Sequence, residues 1–268
     1  MVNFLLVDAS YFCFYRLYAI YQWFKLAKPG EIIENPVNNK TFMDKFEKTF
    51  IQKFQEIPLK LNIENPIIIV GKDCHRKDIW RNSLFENYKS NRDYTNFKGG
   101  PVFKKVWENN LFKKAGAKLI LHHPKLEADD CIAIMSKHVI NMYDDAKVWI
   151  ITSDMDYLQL ASDKVEIFNL KFKDLTLSKN AFKDSDKDLF CKIVSGDKSD
   201  GIPSVFKKCG IKTAEKYWNN KQLFQEKLAE NEEARKQYEL NKRLVDFREI
   251  PKDLIEEFLA LYGINGGY

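Results

Sequence analysis

Acidic side chains recur directly after apolar runs of this sequence, where the strands of a parallel sheet would end. Three short clusters contain seven carboxylates, and an eighth follows the first apolar run. They are Asp8; Glu127, Asp129 and Asp130; Asp154 and Asp156; and Asp197 and Asp200. The carboxyl ends of parallel strands form the ligand crevice of an open α/β sheet. Like charges crowded into one crevice repel each other strongly without cations, so the pattern predicts a divalent-metal site.

The chemistry of such a site follows from its ligands. Carboxylate oxygens are the hard ligands that Mg²⁺ or Mn²⁺ requires. Two ions about 4 Å apart could activate a water and stabilise the leaving oxygen in phosphodiester cleavage. Each cluster alone has an ordinary explanation, because acids are common in the first turn of a helix, where they interact favourably with its dipole. Repeated occurrence at strand ends and helix starts favours metal binding over capping.

The elements that would position these acids alternate along the chain. Near-continuous apolar runs predict strands at 2–8, 66–71, 117–123, 147–153 and, more weakly, 164–170, as expected for parallel strands covered on both faces. Helical patterns separate them at roughly 10–26, 42–56, 77–90, 101–114 and 129–142. The alternation predicts an α/β fold with a mostly parallel sheet flanked by helices. We expect residues 1–184 to form this core and residues 185–268 a helical region.

Composition narrows the protein class. Of 268 residues, 45% are hydrophobic and 30% charged, which is typical of a globular protein. No apolar run approaches the roughly 20 residues that span a bilayer, and the first residues do not resemble a signal peptide, so we expect no membrane partner. Five scattered cysteines without a CxxC motif suit a reducing cytoplasm and argue against a disulfide framework or a zinc site.

Positive charge is concentrated in one segment. Residues 72–118 hold twelve Lys or Arg and five Asp or Glu, a surplus of +7 in a chain whose net charge is +5. Its first part contains Arg76, Lys77, Arg81, Lys89 and Arg92, interleaved with Trp80, Phe85, Tyr88 and Tyr94. Helical spacing favours core positions for most of these aromatic rings over base stacking. The basic side chains could meet phosphates, so the substrate is expected to be a polyanion.

A second basic segment follows Asp197 and Asp200. GDKSDGIPSVFKKCGIKTAEKYW predicts two helices joined by a turn that contains Lys207, Lys208 and Gly210, with Lys212 close behind. Backbone N–H groups and ammonium groups in such a turn can hold a duplex backbone. An ordinary helical hairpin with a charged turn is the alternative. The acids a few residues upstream favour DNA binding.

Together these motifs resemble the 5′ nuclease superfamily, which includes flap endonucleases, the 5′ nuclease domain of bacterial DNA polymerase I and phage 5′ exonucleases. Among these, the sequence is most similar to the ribonuclease H enzymes of T-even phages. The matching motifs run in the family's order from residue 6 to residue 214. They are LVDAS, Asp73 with Trp80 and Arg81, YKSNR, EADD, SDMDYLQL, GDKSDGIP and KTA. GDKSDGIP followed by KTA is the most specific of them.

The resemblance implies a PIN-like fold, an arch formed by about residues 72–100, and a helix-3-turn-helix motif in the C-terminal region that binds duplex DNA. It implies a Mg²⁺- or Mn²⁺-dependent hydrolase with two ions, acting as a 5′-3′ exonuclease or flap endonuclease on branched DNA and RNA-primed duplexes. The implied metal ligands are Asp8, Asp73, Glu127, Asp129, Asp130, Asp154, Asp156, Asp197 and Asp200. Asp8, Arg81, Lys89 and Arg92 match catalytic positions, with Lys89 and Arg92 at the scissile phosphate. The implied DNA contacts are Arg76, Lys77, Arg81, Lys89, Arg92, Lys207, Lys208, Gly210, Lys212 and Thr213.

The family also implies a monomer of the bacterial or phage-infected cytoplasm, with replication proteins (polymerase, clamp and single-strand-binding protein) as partners. Two departures from its pattern matter. Gly71 and Lys72 separate Asp73 from its strand, which makes this acid the least secure ligand. Lys208 and Cys209 stand where a glycine and an apolar residue are expected, which argues against a potassium ion at the turn. Asp197 and Asp200 are expected to act through water.

Two other functions could use acids in similar positions. A non-catalytic flap-binding protein of the same fold would use the acids only for structure, and the full set of acids argues against it. A phosphatase of the haloacid-dehalogenase type also has an acid after its first strand. That chemistry needs two aspartates there, whereas the chain has Asp8, Ala9 and Ser10.

Overall fold

The computed structural model describes residues 1–93, 95 and 97–264. In these residues five parallel strands form one sheet in the order β3-β2-β1-β4-β5. The strands are β1 (Val2–Asp8), β2 (Ile67–Gly71), β3 (Leu119–Leu121), β4 (Ala146–Ile151) and β5 (Val165–Phe168). Leu6 of the central strand pairs with Ile69 on one side and Ile150 on the other. The predicted α/β class and parallel sheet are confirmed.

One face of the sheet is covered by helices α1 (Ala9–Ala27), α2 (Lys40–Lys60), α3 (Gly100–Glu108) and α4 (Leu111–Lys114). Four phenylalanines recur every fourth residue of α2, at positions 42, 46, 50 and 54, and all are fully buried. This spacing places them on one helix side. They pack with Phe12 of α1 and with sheet residues such as Leu5 and Val7.

The opposite face is covered by α5 (Ala128–Met142) and α10 (Lys252–Leu261). Ile132 and Ile134 of α5 and Phe258 of α10 are buried in the same cluster as Leu6 and Ile150. The last described helix therefore packs on the sheet core. Where α5 passes β2, Gly71 allows the close approach, because a Cβ there would lie 2.7 Å from Ile132 Cγ1.

Helices α6 (Ser185–Ser195), α7 (Ile211–Asn219), α8 (Lys221–Ala229) and α9 (Glu232–Val245) follow the last strand. They enclose a separate cluster around Phe190 and Phe224. The buried Asn241 of α9 donates to the carbonyls of Ile193 (2.9 Å) and Pro203 (2.8 Å), which fixes the chain between α6 and α7. A division at residue 184/185 stays a prediction. No helix among the described residues has the length and apolarity needed to cross a bilayer.

The predicted helix at 77–90 is wrong. The segment contains 3-10 turns at Arg76–Asp78 and Trp80–Ser83, then irregular turns. Tertiary hydrogen bonds replace helical ones, since Trp80 N donates to Lys125 O (3.0 Å) and Lys89 N to Asp200 O (2.8 Å).

Further 3-10 turns occur at Pro36–Asn38, Met155–Leu160, Leu175–Leu177 and Phe247–Glu249. The predicted helix at 101–114 is divided at Asn110, which adopts a left-handed conformation (φ 52°).

Candidate metal centre

Asp8 joins the central strand to the first helix. It is the last residue of β1 and the N-cap of α1, and its Oδ1 accepts a hydrogen bond from Tyr11 N at 3.0 Å. Its Oδ2 accepts one from Thr152 Oγ1 of the neighbouring strand end at 3.3 Å. The carboxylate is thus fixed at the carboxyl edge of the sheet, as the sequence predicted.

Asp73 reaches the same place despite the two residues inserted before it. Lys72 N donates to Leu121 O (2.9 Å) and Cys74 N to Leu126 O (3.1 Å), so the chain continues along the sheet edge beyond Gly71. Asp73 Oδ2 accepts a hydrogen bond from Ser10 Oγ at 2.5 Å, and Oδ1 accepts one from Ala128 N at 2.9 Å. Sequence reasoning gave Ser10 no role. Its position two residues after Asp8 is the only sequence signal for one.

The EADD cluster lies at the start of α5, with Glu127 as its N-cap. Asp130 is fully buried and accepts hydrogen bonds from Trp80 Nε1 (2.9 Å), both terminal nitrogens of Arg81 (2.7 and 2.8 Å) and Glu127 N (3.2 Å). This environment favours the structural role over metal ligation for Asp130. Asp129 lines the acidic cavity at the sheet edge. One carboxylate oxygen of each of Glu127, Asp129 and Asp130 lies within 4.8 Å of the others.

Arg81 is only 2% exposed, so its predicted contact with DNA needs correction. Besides Asp130, its guanidinium binds Glu127 Oε2 (3.1 Å) and donates from Nε to Leu244 O of α9 (2.7 Å). It also lies against the ring of Trp80. All of these partners are protein atoms in the interior. Arg81 therefore acts as a structural arginine that joins the basic segment, α5 and α9.

Asp154 and Asp156 diverge although one residue separates them. Asp154 caps the 3-10 turn at Met155–Leu160 by accepting from Asp156 N at 3.0 Å, while its own N–H donates to Thr152 Oγ1. It lines the cavity with Asp8. Asp156 forms an ion pair with Lys192 Nζ of α6 at 2.6 Å. The two acids of the DxD motif therefore belong to different groups. Asp154 lies in the cavity with Asp8, and Asp156 lies beside Lys192.

The inner pocket is a cavity of about 310 Å³ at the carboxyl edge of the sheet. Five acids from four chain segments line it, together with Lys89 and Arg92. The acids are Asp8, Asp73, Glu127, Asp129 and Asp154. Burial, followed by repulsion from Asp73, raises the pKa of Asp8 from 3.8 to about 7. Burial, followed by repulsion from Asp130 and Glu127, raises the pKa of Asp129 well above its usual value. Such crowding is what a bound divalent cation would relieve, and the donors are all oxygen, so the residues fit Mg²⁺ or Mn²⁺.

The outer cluster consists of Asp156, Asp197 and Asp200, whose carboxylate oxygens approach one another within 4.8 Å. Arg92 pairs with Asp200 Oδ1, and Lys192 Nζ lies 2.5 Å from Asp197 Oδ2. Burial, followed by repulsion from Asp154, raises the pKa of Asp156 to about 7. Lys192 was missed by sequence reasoning, because nothing in KIVSGD marks a lysine five residues before an acid as its partner.

Lys89 stands between the two groups of acids. Its Nζ lies 2.5 Å from Glu127 Oε1 and 3.7 Å from Asp200 Oδ2. Burial would raise the pKa of Glu127, but Lys89 and Arg81 outweigh it and hold that pKa below its usual value. Arg76 donates to the carbonyls of Lys89 and Arg92, so it braces the backbone that carries these two cations.

The remaining predicted DNA contacts lie on the surface. Lys77 is exposed in the basic segment. Lys207, Lys208, Gly210 and Lys212 are exposed before and within the first turn of α7, and Thr213 is half-buried there. Gly210 is the N-cap of α7 and provides no side chain to cap its first N–H groups. Tyr94, predicted within the basic segment, lies outside the described residues.

The protein thus has a parallel α/β sheet with carboxylates from several strand ends around one cavity, and oxygen donors in this arrangement suit a divalent cation. Comparison with known proteins then assigns the family. Residues 3–192 match the family described as 5′-3′ exonuclease, N-terminal resolvase-like domain, and the chain belongs to this family.

Curated relatives carry the same designation. The chain is 34% identical over 156 residues to a 5′-3′ exonuclease of Buchnera aphidicola subsp. Acyrthosiphon pisum, covering 55% of this chain and 50% of that protein. It is 34% identical over 150 residues to a 5′-3′ exonuclease of Bacillus subtilis, covering 51% and 47%. The aligned part thus spans about half the length of these relatives.

Solved structures support the fold over nearly the whole chain. A bacteriophage T5 flap endonuclease in a pseudo-enzyme–product complex with DNA and metal ions superposes with a TM-score of 0.65 and 17% identity, covering 98% of both chains. T5 5′-exonuclease with bound zinc gives a TM-score of 0.61 and 20% identity, covering 96% of this chain and 97% of that one.

Proposed function

We propose that this chain is a metal-dependent, structure-specific nuclease that hydrolyses phosphodiester bonds as a 5′-3′ exonuclease or flap endonuclease. The main observation behind the proposal is the inner pocket, which is lined by five acids from four segments together with Lys89 and Arg92. Carboxylates alone would repel a phosphate group, so binding a phosphate in this pocket requires cations. Family membership and the relatives designated 5′-3′ exonuclease support the same reaction.

Asp8, Asp73, Asp129 and Asp154 would hold the first ion. Divalent ions there would lower the pKa of a water and offset charge on the leaving oxygen. The chain's own residues orient the site. Ser10 and Ala128 N fix Asp73, Thr152 and Tyr11 N fix Asp8, and Lys89 and Arg92 provide cations beside the pocket for the scissile phosphate. Hydrolysis would leave a 5′-phosphate and a 3′-hydroxyl.

The proposed substrate is branched or 5′-flap DNA and RNA-primed duplex. The turn before α7 would hold the duplex as a helix-3-turn-helix motif, because its lysines are exposed and the first N–H groups of α7 have no side-chain cap. The T5 flap endonuclease complex contains DNA, which supports a nucleic-acid partner for this fold. Replication proteins as partners, a monomeric state and a cytoplasmic location remain part of this proposal.

Cleavage of a labelled 5′-flap substrate tests the function. We expect products with Mg²⁺, none with a chelator, and losses of at least 100-fold for Asp129→Asn and Asp154→Asn. Asp253→Asn is the matched control, since Asp253 is an exposed aspartate in the first turn of α10. Equal cleavage by the wild type, the chelated protein and both pocket variants would refute metal dependence. Flap binding without turnover under any divalent ion would establish the non-catalytic alternative.

A further inference from the structure

Lys192 lies between two acids of the outer cluster. Its Nζ is 2.6 Å from Asp156 Oδ1 and 2.5 Å from Asp197 Oδ2. All three side chains are largely buried, with at most 24% of their surface exposed. Because the carboxylate oxygens of the cluster approach within 4.8 Å of one another, an ammonium between them takes the space that a shared metal ion would need.

Asp197 is held in this arrangement by the turn that contains it. Its backbone pairs with Ile202 through hydrogen bonds of 2.9 and 2.7 Å. Ser199 donates to its Oδ1 from both N and Oγ at 2.7 Å, which leaves Oδ2 for Lys192. Gly196 has a φ of +70°, and a Cβ there would lie 2.5 Å from Ile202 O, so glycine is the residue that this turn accommodates. Asp197 therefore meets Lys192 in a fixed geometry.

The two groups of acids differ in how their charge is balanced. In the inner pocket, Glu127 pairs with two cations, Lys89 and Arg81. Asp8 and Asp73 accept hydrogen bonds from neutral donors, namely backbone N–H groups and the hydroxyls of Thr152 and Ser10. In the outer cluster, Lys192 pairs with two of the acids and Arg92 with the third. Lys89 Nζ also lies 3.7 Å from Asp200 Oδ2. Three cations thus face the three carboxylates of the outer cluster, which weakens the attraction of this cluster for a further cation.

We propose that Lys192 is a positioning residue that serves as a built-in counter-ion of the outer cluster and lowers its affinity for divalent ions. This inference rests on the proposed metal-dependent function. The inner pocket then takes the first ion, and the second binds more weakly because it must displace or share carboxylates with Lys192. Lys192 thereby raises the metal concentration that is needed to load the second site.

Manganese titration of the metal-free full chain, followed by electron paramagnetic resonance, counts bound ions and measures both affinities without reference to turnover. We expect Lys192→Gln and Lys192→Met to tighten the weaker site by at least about tenfold and to leave the tighter site within twofold. Lys192→Arg keeps the charge and should bind as the wild type does. Lys187→Gln is the matched control, since Lys187 lies on the same helix, is 17% exposed and pairs with Glu215 at 2.7 Å.

An unchanged or weaker second site in the neutral variants would overturn the inference while the first ion still binds. A second site that tightens tenfold in Lys192→Arg would overturn it too, and this variant retains the buried charge if the neutral ones do not fold. No bound manganese in the wild type would refute the proposed function itself.

Discussion

Ser10 Oγ donates a hydrogen bond to Asp73 Oδ2 at 2.5 Å, and this contact joins the first helix to the segment after the second strand. This hydrogen bond holds Asp73 in the inner pocket, although Asp73 does not directly follow the apolar run of β2. The same carboxylate is held from the other side by Ala128 N at the start of α5. The start of α1, the segment after β2 and the start of α5 therefore together define the position of the Asp73 carboxylate.

Ser10→Ala should weaken binding of the first metal ion about tenfold, because Asp73 loses one of its two orienting donors. Isothermal titration with Mn²⁺ measures this, and the unfolding midpoint should change little. Ser83→Ala is the control, since it removes a serine hydroxyl that bonds only the backbone of its own turn. Unaltered affinity in Ser10→Ala would show that Asp73 needs no such support or does not bind metal.

Asp130→Ala and Asp129→Ala should have opposite effects on the metal-free protein. Asp130→Ala leaves the buried Arg81 without its bidentate partner, which costs on the order of 3–5 kcal/mol. Asp129→Ala removes a carboxylate whose pKa burial and neighbouring acids raise, so it should stabilise the metal-free chain. Urea unfolding of both variants measures the difference. Destabilisation of similar size in both would contradict these separate roles.

Metal-free stability should fall as pH rises from about 4 to 7. Burial and the charge of Asp73 raise the pKa of Asp8 to about 7, against 3.8 ordinarily, so in this window the folded chain keeps a proton that the unfolded chain has lost. Deprotonation therefore favours unfolding, by an amount on the order of a few kcal/mol. Thermal melts of the wild type and Asp8→Asn measure the slope.

Asp8→Asn should show a smaller loss over this range, and saturating Mg²⁺ should abolish much of the loss in the wild type. Equal slopes for the two proteins without metal would contradict the raised pKa of Asp8.

Lys208→Gln and Lys212→Gln should each weaken duplex binding severalfold and reduce the salt dependence of the association constant by about one counter-ion. Fluorescence anisotropy with a nicked duplex at several salt concentrations measures both quantities. Lys118→Gln is the control, because this exposed lysine precedes β3 at the opposite edge of the sheet from the acids. An equal loss for all three variants would indicate a general charge effect rather than a duplex site.

The strands and the clustering of acids could be predicted because both depend on local pattern. Apolar runs predict the parallel strands, and the carboxyl ends of parallel strands lie at the same edge of the sheet. The path of the basic segment could not be predicted, because the helical spacing of Trp80, Leu84 and Tyr88 is overruled by contacts with residues far along the chain. Long-range pairing also explains the misassigned Arg81 and the missed Lys192. A charged side chain has the same local pattern whether it faces solvent or a buried carboxylate.

The inner pocket draws its acids from positions as far apart as Asp8 and Asp154. During synthesis, a chain that has not yet reached β4 lacks one wall of this pocket. The repulsion among the acids consequently arises only when segments that are distant in sequence come together. A shorter nascent chain thus has no complete acidic pocket.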